Sequence, residues 1–451
     1  MSIRIGRFKL NLNISQIIAF SFLGIILVGA VLLTLPIAST SGKSVGFLTG
    51  LFTATSSVCV TGLTVVEVWS TFNFFGQFVI LILMEAGGLG FMSIISLLLY
   101  VVNHKSNIQS MSIMAESIGA DGIKNIARIQ KRLVFGALLF EGIGAVILFL
   151  EFLPQSGVTT SIWLGIFHSV SAFCNAGFDI MGLSAPGASM ATLQTQPIAL
   201  ITIALLIVIG GIGFIVWDDI VSAKHPRRWT INTRLVLQIT GILLVIGTVL
   251  YFIFEHNNPN TIGNLSLVDK ISNSFFQSVT PRTAGFAALD QAALTDASSA
   301  LTILLMYIGG SAGSTAGGIK TVTFAIVIMS ILSNATGRRT VIMKKRTISN
   351  EQRTHAFTIF GSYLLLTILG GFILTLTSGV EFHVAFYESV SALATVGLSF
   401  GITPTLSVIS KILLIVLMYI GRVGLLTITV GFFKKHENAS IKYPSVKVMI
   451  G

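Results

Sequence analysis

The sequence predicts an all-α integral membrane fold, and three observations carry that expectation. Of 451 residues, 53% are hydrophobic and only 10% are charged, whereas a soluble domain needs roughly 25% charged residues to cover its surface. Apolar runs at 17–35, 133–153, 235–254 and 358–376 approach the ~20 residues that span a bilayer core. Finally, one unit recurs four times: a long apolar run, a short polar segment containing glycine, and a second apolar run. The first run reads as a retained helix rather than a cleaved signal, because no convincing cleavage site follows it and the later units repeat its pattern.

The four polar segments align with one another. Each starts at an aromatic residue and reaches a glycine ten positions later: Phe52 and Gly62, Phe167 and Gly177, Phe275 and Gly285, Tyr387 and Gly397. Ser56, Ser171 and Ser391 stand six before the glycine, where the third copy has Val279. The tripeptides are Val60-Thr61-Gly62, Asn175-Ala176-Gly177, Thr283-Ala284-Gly285 and Thr395-Val396-Gly397, each followed by a large apolar residue. Such segments are too short to span and too polar to face lipid. At membrane depth, irregular backbone survives only inside protein or beside water. Four of them can surround one axis, which predicts four helix–pore-loop–helix repeats, eight spanning helices in all, around a pseudo-fourfold pore. The expected repeats are 1–102, 103–222, 223–335 and 336–451.

A short helix entering each repeat would aim its partially negative C-terminus at the membrane centre and favour a cation. Backbone carbonyls of the tripeptides would then replace the ion's hydration shell, as in the potassium-filter sequence TVGYG, whose first three residues match Thr395-Val396-Gly397. Glycine suits a backbone with positive φ and a crowded axis. The expected ligand is therefore K+ at backbone carbonyls.

Charge sets the orientation. Most of the 28 Lys and Arg fall at the N-terminus, between repeats and in the tail, which predicts cytoplasmic termini. The net charge of +11 is thus topological and does not call for nucleic acid. The two cysteines, Cys59 and Cys174, have no metal-binding spacing. No carboxylate pair, His cluster or Ser-His-Asp set points to catalysis, so the chain reads as a non-enzyme with no bound cofactor. Glu85 and Glu141 lie within apolar runs, and Asp179 and Asp290 are expected at the outer mouth. His168 and His383 read as polar residues capping the short helices.

The second apolar runs carry glycine clusters, and the third is interrupted by Gly309-Gly310-Ser311-Ala312-Gly313-Ser314-Thr315-Ala316-Gly317-Gly318-Ile319-Lys320. Residues of this kind favour an unwound loop. A phosphate-loop pattern nearly appears at 313–321, but Ile319 separates Gly318 from Lys320 and both flanks are membrane runs. Arg422 stands where the other copies have Gly88, Gly211 and Gly310, and an arginine at membrane depth marks function. Arg282 is expected to brace the third segment from behind, and Lys320 to reach toward the cytoplasm.

With these features the chain resembles the Trk/Ktr/HKT superfamily of potassium transporters, and among them the KtrB-type membrane subunit. The resemblance covers nearly the whole chain. It implies that 309–320 is an intramembrane gate beneath the filter and that Arg422 faces it in the pore. It also implies a homodimer in the cell membrane on a cytoplasmic KtrA-type nucleotide-binding ring, with sodium as a candidate coupled ion. Arg338 to Arg353 and the tail from Lys434 are the expected docking surfaces. In plant members, serine at the first filter position accompanies sodium preference, so Gly62 implies potassium. Two alternatives remain at this point: the ion-translocating subunit of an ATP-driven pump, and a receptor or scaffold.

Overall fold

The computed structural model describes residues 2–5, 8–11, 13–90, 126–183, 187, 189–223, 225–338, 340–343, 346–425 and 427. Helices α1 (Ile14–Thr34), α2 (Phe47–Val58) and α3 (Phe74–Gly88) come first. Next are α4 (Ile126–Ser156), α5 (Val158–Phe173), α6 (Pro197–Gly211) and α7 (Phe214–Ala223). Then follow α8 (Ile231–Glu255), α9 (Leu267–Val279), α10 (Asp296–Tyr307) and α11 (Thr321–Ala335). The last are α12 (Asn350–Ser378), α13 (Phe382–Leu393) and α14 (Val408–Val423). Two-stranded antiparallel hairpins join Ser2–Ile5 to Phe8–Asn11 and Ile342–Met343 to Arg346–Thr347.

Among the described residues, α1, α4, α8 and α12 are long and apolar enough to cross a membrane. Their most apolar windows are only 22–33% buried, so they present apolar side chains outward. Phe135, Leu138, Leu139, Ile143, Val146 and Leu150 line the outside of α4 in this way. The interior is the opposite: Thr53, Thr55, Ser56, Ser57, Ser169, Ser171, Ser274, Gln277 and Ser278 are buried on the short helices. Apolar surface outside and hydroxyls inside is the arrangement lipid imposes, since every buried polar group must find a partner within the protein.

Each long helix packs along the short helix that follows it, α1 on α2, α4 on α5, α8 on α9 and α12 on α13. The neighbouring units then join in a cycle. Helix α3 meets α5, α6 meets α9, α10 meets α13, and α14 returns to α2.

The glycine clusters end helices. Helix α3 stops at Gly88, α6 at Gly211, α10 at Tyr307 and α14 at Val423. An interruption was expected in the third copy alone. The second is broken as well, because α6 and α7 meet at 88° across Gly213, whose φ is +98°. Close packing accounts for three of the clusters. A Cβ at Gly87, Gly210 or Gly421 would collide with the carbonyl oxygen of Val58, Phe173 or Leu393, which are the last residues of α2, α5 and α13.

Glu255, fully buried at the end of α8, was not singled out from the sequence. Its carboxylate accepts from the Thr295 N–H (2.9 Å) and hydroxyl (2.8 Å), the Thr261 hydroxyl (2.6 Å) and the Asn258 amide (2.7 Å). It thereby ties α8 to the start of α10. Replacing Glu255 by Ala leaves these donors without an acceptor and should destabilise the fold by about 2 kcal/mol. Thermal unfolding in detergent measures this, and Glu255→Gln, which keeps one acceptor, should lose less.

Candidate functional site

The four tripeptides converge. A Cβ on Gly62 would lie 2.7 Å from the Ala176 carbonyl oxygen, and one on Gly177 2.5 Å from that of Ala284. On Gly285 it would strike the Val396 carbonyl, and on Gly397 the Thr61 carbonyl. The contacts run from first copy to second, third, fourth and back to the first, so the segments form a closed ring of backbone. At Gly397 two demands coincide: φ is +99° and no space exists for a side chain. Both exclude other residues.

The glycines are not the only left-handed residues. Val60 (φ +53°), Asn175 (+57°), Thr283 (+74°) and Thr395 (+51°), two positions before each glycine, share that conformation. Thr61, Ala176, Ala284 and Val396 between them do not. Alternating hand turns successive carbonyls toward one side of the strand. Three of the four leading residues are β-branched, for which positive φ is strained. The sequence carries no signal for this, because nothing in valine or threonine announces positive φ.

Hydrogen bonds from behind hold the strained backbone. Ser56 Oγ accepts from Gly62 N–H (3.1 Å) and Ser391 Oγ from Gly397 N–H (3.0 Å), while the Ser171 hydroxyl donates to the Phe178 carbonyl (2.7 Å). In the third copy, where Val279 occupies the serine register, the next residue takes over: the Thr280 hydroxyl donates to the Phe286 carbonyl at 2.7 Å. The hydroxyls of Thr61, Thr283 and Thr395 are buried and have no hydrogen-bond partner, so their lone pairs are available to a ligand.

His168 is not a cap. It lies within α5, fully buried, and its Nε2 accepts from the Ile180 N–H (3.2 Å) beyond the second tripeptide. Glu388, at the same position after the aromatic of the fourth copy, likewise accepts from the Thr403 hydroxyl. His383 does sit in the first turn of α13, 3.3 Å from Glu381.

Two cavities flank the ring. One of about 410 Å³ is lined by Gly62, Gly177, Gly285 and Gly397 together with Glu67 and Asp179. Burial pushes the Asp179 carboxyl up, while the Ser189 hydroxyl and the Met181 N–H hold it back. Asp290 does not line this cavity; it caps a short helical turn by accepting from the Ala292 N–H at 3.0 Å. The other cavity, about 320 Å³, is lined by Gly313, Ser314, Ala316, Gly318, Lys320 and Arg422 among others.

The segment 309–320 is an unwound loop with its ends pinned together. Gly309 N–H donates to the Ile319 carbonyl (3.0 Å), and Thr321 N–H to that of Gly310 (3.1 Å). The Ser311 hydroxyl meets that of Thr321 at 3.0 Å. The loop is stitched to the broken second run by Ser311 N–H to the Gly211 carbonyl (2.9 Å) and by Phe214 N–H to that of Gly313 (2.7 Å). It presses on the fourth tripeptide too, since a Cβ on Gly317 would collide with Thr395 Oγ1. Arg422 crosses to the loop and donates to the Thr315 carbonyl (2.5 Å) and to the carbonyls of Gly87 and Gly88. Lys320 lies along the loop and donates to the Ala316 carbonyl at 2.7 Å. Arg282 is buried behind the third tripeptide, 3.5 Å from both the Gly309 carbonyl and Thr240 Oγ1. The tail from Lys434, together with Arg339, Lys344 and Lys345, lies outside the described residues.

Comparison with known proteins shows the family. The family profile "TrkH: Cation transport protein" matches residues 13–443. The chain is 39% identical to the potassium/sodium uptake protein NtpJ of Enterococcus hirae, over 100% of both chains. It is 36% identical to the Ktr system potassium uptake protein B of Bacillus subtilis, covering 97% of this chain and 96% of that one. The corresponding protein of Vibrio alginolyticus is 38% identical, covering 97% and 94%. The crystal structure of the potassium transporter TrkH from Vibrio parahaemolyticus superposes with a TM-score of 0.70 at 21% identity, covering 91% of this chain and 84% of that one. These relatives are ion transport proteins rather than enzymes, and this multi-pass membrane chain belongs to the TrkH family of cation transport proteins.

Proposed function

We propose that the chain takes up potassium through a pore built from repeats 1–102, 103–222, 223–335 and 336–451, each contributing two spanning helices and one filter segment. The carrying observation is the closed backbone ring, in which each filter glycine abuts the next copy's carbonyl. The alternating φ of each tripeptide and the three unpartnered threonine hydroxyls support the same reading, because they leave oxygen lone pairs for a dehydrated cation. K+ is the transported ion and Na+ a candidate coupled ion; the relatives are named as potassium/sodium and potassium uptake proteins. Both termini are cytoplasmic, and the chain works as a homodimer on a nucleotide-binding ring of KtrA type. A pump subunit is less favoured, since the relatives at 36–39% identity are named as uptake proteins.

Uptake of rubidium into cells lacking their own potassium systems tests the reading, with unlabelled potassium and sodium as competitors. Potassium should compete far better than sodium in the parent chain, and Gly62→Ser should narrow the difference. Equal competition by both ions in the parent would refute the selectivity.

The loop 309–320 acts as the gate, with Arg422 as its latch. The loop blocks the path sterically, and a guanidinium beside it adds a barrier to cations that low dielectric strengthens. Deleting 312–317, or replacing Arg422 by Ala, should raise the maximal uptake rate severalfold without changing the potassium-to-sodium ratio. A deletion protein that reaches the membrane in normal amounts yet transports no faster would make the loop a structural kink.

Control by the cytoplasmic ring predicts a third outcome. Pull-down from native membranes should recover a soluble nucleotide-binding protein, and the purified chain alone should conduct without responding to nucleotide. Full nucleotide-responsive flux in liposomes containing only this chain would contradict the assignment.

A further inference from the structure

The sequence showed no paired carboxylates, but the fold makes a pair. Glu85 on α3, Glu141 on α4 and Cys174, which caps α5, each offer a ligand atom within 4.8 Å of the others. Among the described residues this is the one such group of three. The Cys174 thiol donates to Glu85 Oε2 at 3.2 Å. Glu141 is only 5% exposed, and its buried Oε1 has no hydrogen-bond partner. Neither carboxylate belongs to a salt bridge; the described ion pairs are Arg132 with Asp218 and His383 with Glu381. The nearby guanidinium of Arg422 is engaged by the carbonyls of Gly87, Gly88 and Thr315.

A buried carboxylate held beside a half-buried one is unfavourable while both are charged, and a bound cation offsets the repulsion. The donor set decides which cation. A thiol with two carboxylates is poor for an alkali ion, which needs many oxygens. It matches a borderline transition ion held by three protein ligands with a fourth position open. We propose that Glu85, Glu141 and Cys174 form a binding site for a zinc-class divalent ion. On binding, the Cys174 S–H bond breaks, a metal–sulfur bond forms and the proton leaves to solvent, so affinity rises with pH. Glu85 is only partly buried, which gives the ion access and lets that carboxylate close onto it.

The site is placed to act on transport. Cys174 immediately precedes the second tripeptide, and Glu85 stands two residues before Gly87, whose carbonyl holds Arg422. A bound ion clamps these elements together and slows flux; this consequence rests on the proposed transport function, whereas binding does not.

Titration of the purified full-length chain with Zn2+, followed by calorimetry and thermal unfolding, tests the site. One saturable ion per chain should bind, raise the unfolding temperature and bind more tightly at higher pH. Cys174→Ser and Glu141→Gln should each weaken binding by at least ~10-fold. Absence of saturable binding, or unchanged affinity in both folded variants, overturns the site. In liposomes Zn2+ should slow rubidium uptake by the parent but not by Glu141→Gln, and equal slowing of both overturns the coupling. A parent chain that binds Zn2+ as stated but carries no rubidium would strike at the transport reading and leave the metal site standing.

Discussion

Four stretches of backbone meet so closely that carbonyl oxygens of one occupy the space where side chains of the next would begin, and the rest of the molecule is organised to permit this. Gly62, Gly177, Gly285 and Gly397 are the four points of contact. The same requirement reaches outward. Gly87, Gly210 and Gly421 let the following helices pass directly under the C-terminal carbonyls of α2, α5 and α13. Backbone carbonyls brought together in an interior are unfavourable unless something cationic or donating meets them. On one side Arg422 and Lys320 supply donors to Thr315, Gly87, Gly88 and Ala316. Along the ring itself, in the proposed function, the transported ion does so.

The ring is also strained. Val60, Thr283 and Thr395 hold positive φ, at a cost of about 1–3 kcal/mol each. The strain persists because hydroxyls behind each strand fasten it: Ser56 and Ser391 accept from glycine N–H groups, and Ser171 and Thr280 donate to the carbonyl just beyond. His168 and Glu388 extend the brace to the outgoing chain. The buried hydroxyls of α2, α5, α9 and α13 are thus a scaffold for an unfavourable backbone.

Inequality among the copies is concentrated at the loop 309–320. Only the third copy carries it, and it is held by three different neighbours: the broken helix at Gly211, the end of α5 at Phe173, and Arg422 from the fourth copy. The segment has five glycines among its twelve residues, and hydrogen bonds to main-chain carbonyls join it to all three elements.

Much of this was legible in the sequence because it is periodic. Apolar run length, the aromatic-to-glycine interval and the glycine clusters are local properties repeated four times, and repetition separates them from chance. The unwound loop and Arg422 were legible for a related reason, since small residues and a charge stand out against lipid-facing Leu, Ile and Val. What the tertiary structure alone decided depends on distance between residues far apart in the chain. It brought Glu85, Glu141 and Cys174 into one cluster, laid Lys320 along its own loop, placed His168 behind a strand instead of at a helix end, and bent the second copy at Gly213. It also set the left-handed backbone at Val60, Thr283 and Thr395. Propensity opposes that conformation in β-branched residues, and only the surrounding hydrogen bonds and the adjoining strands of the ring impose it.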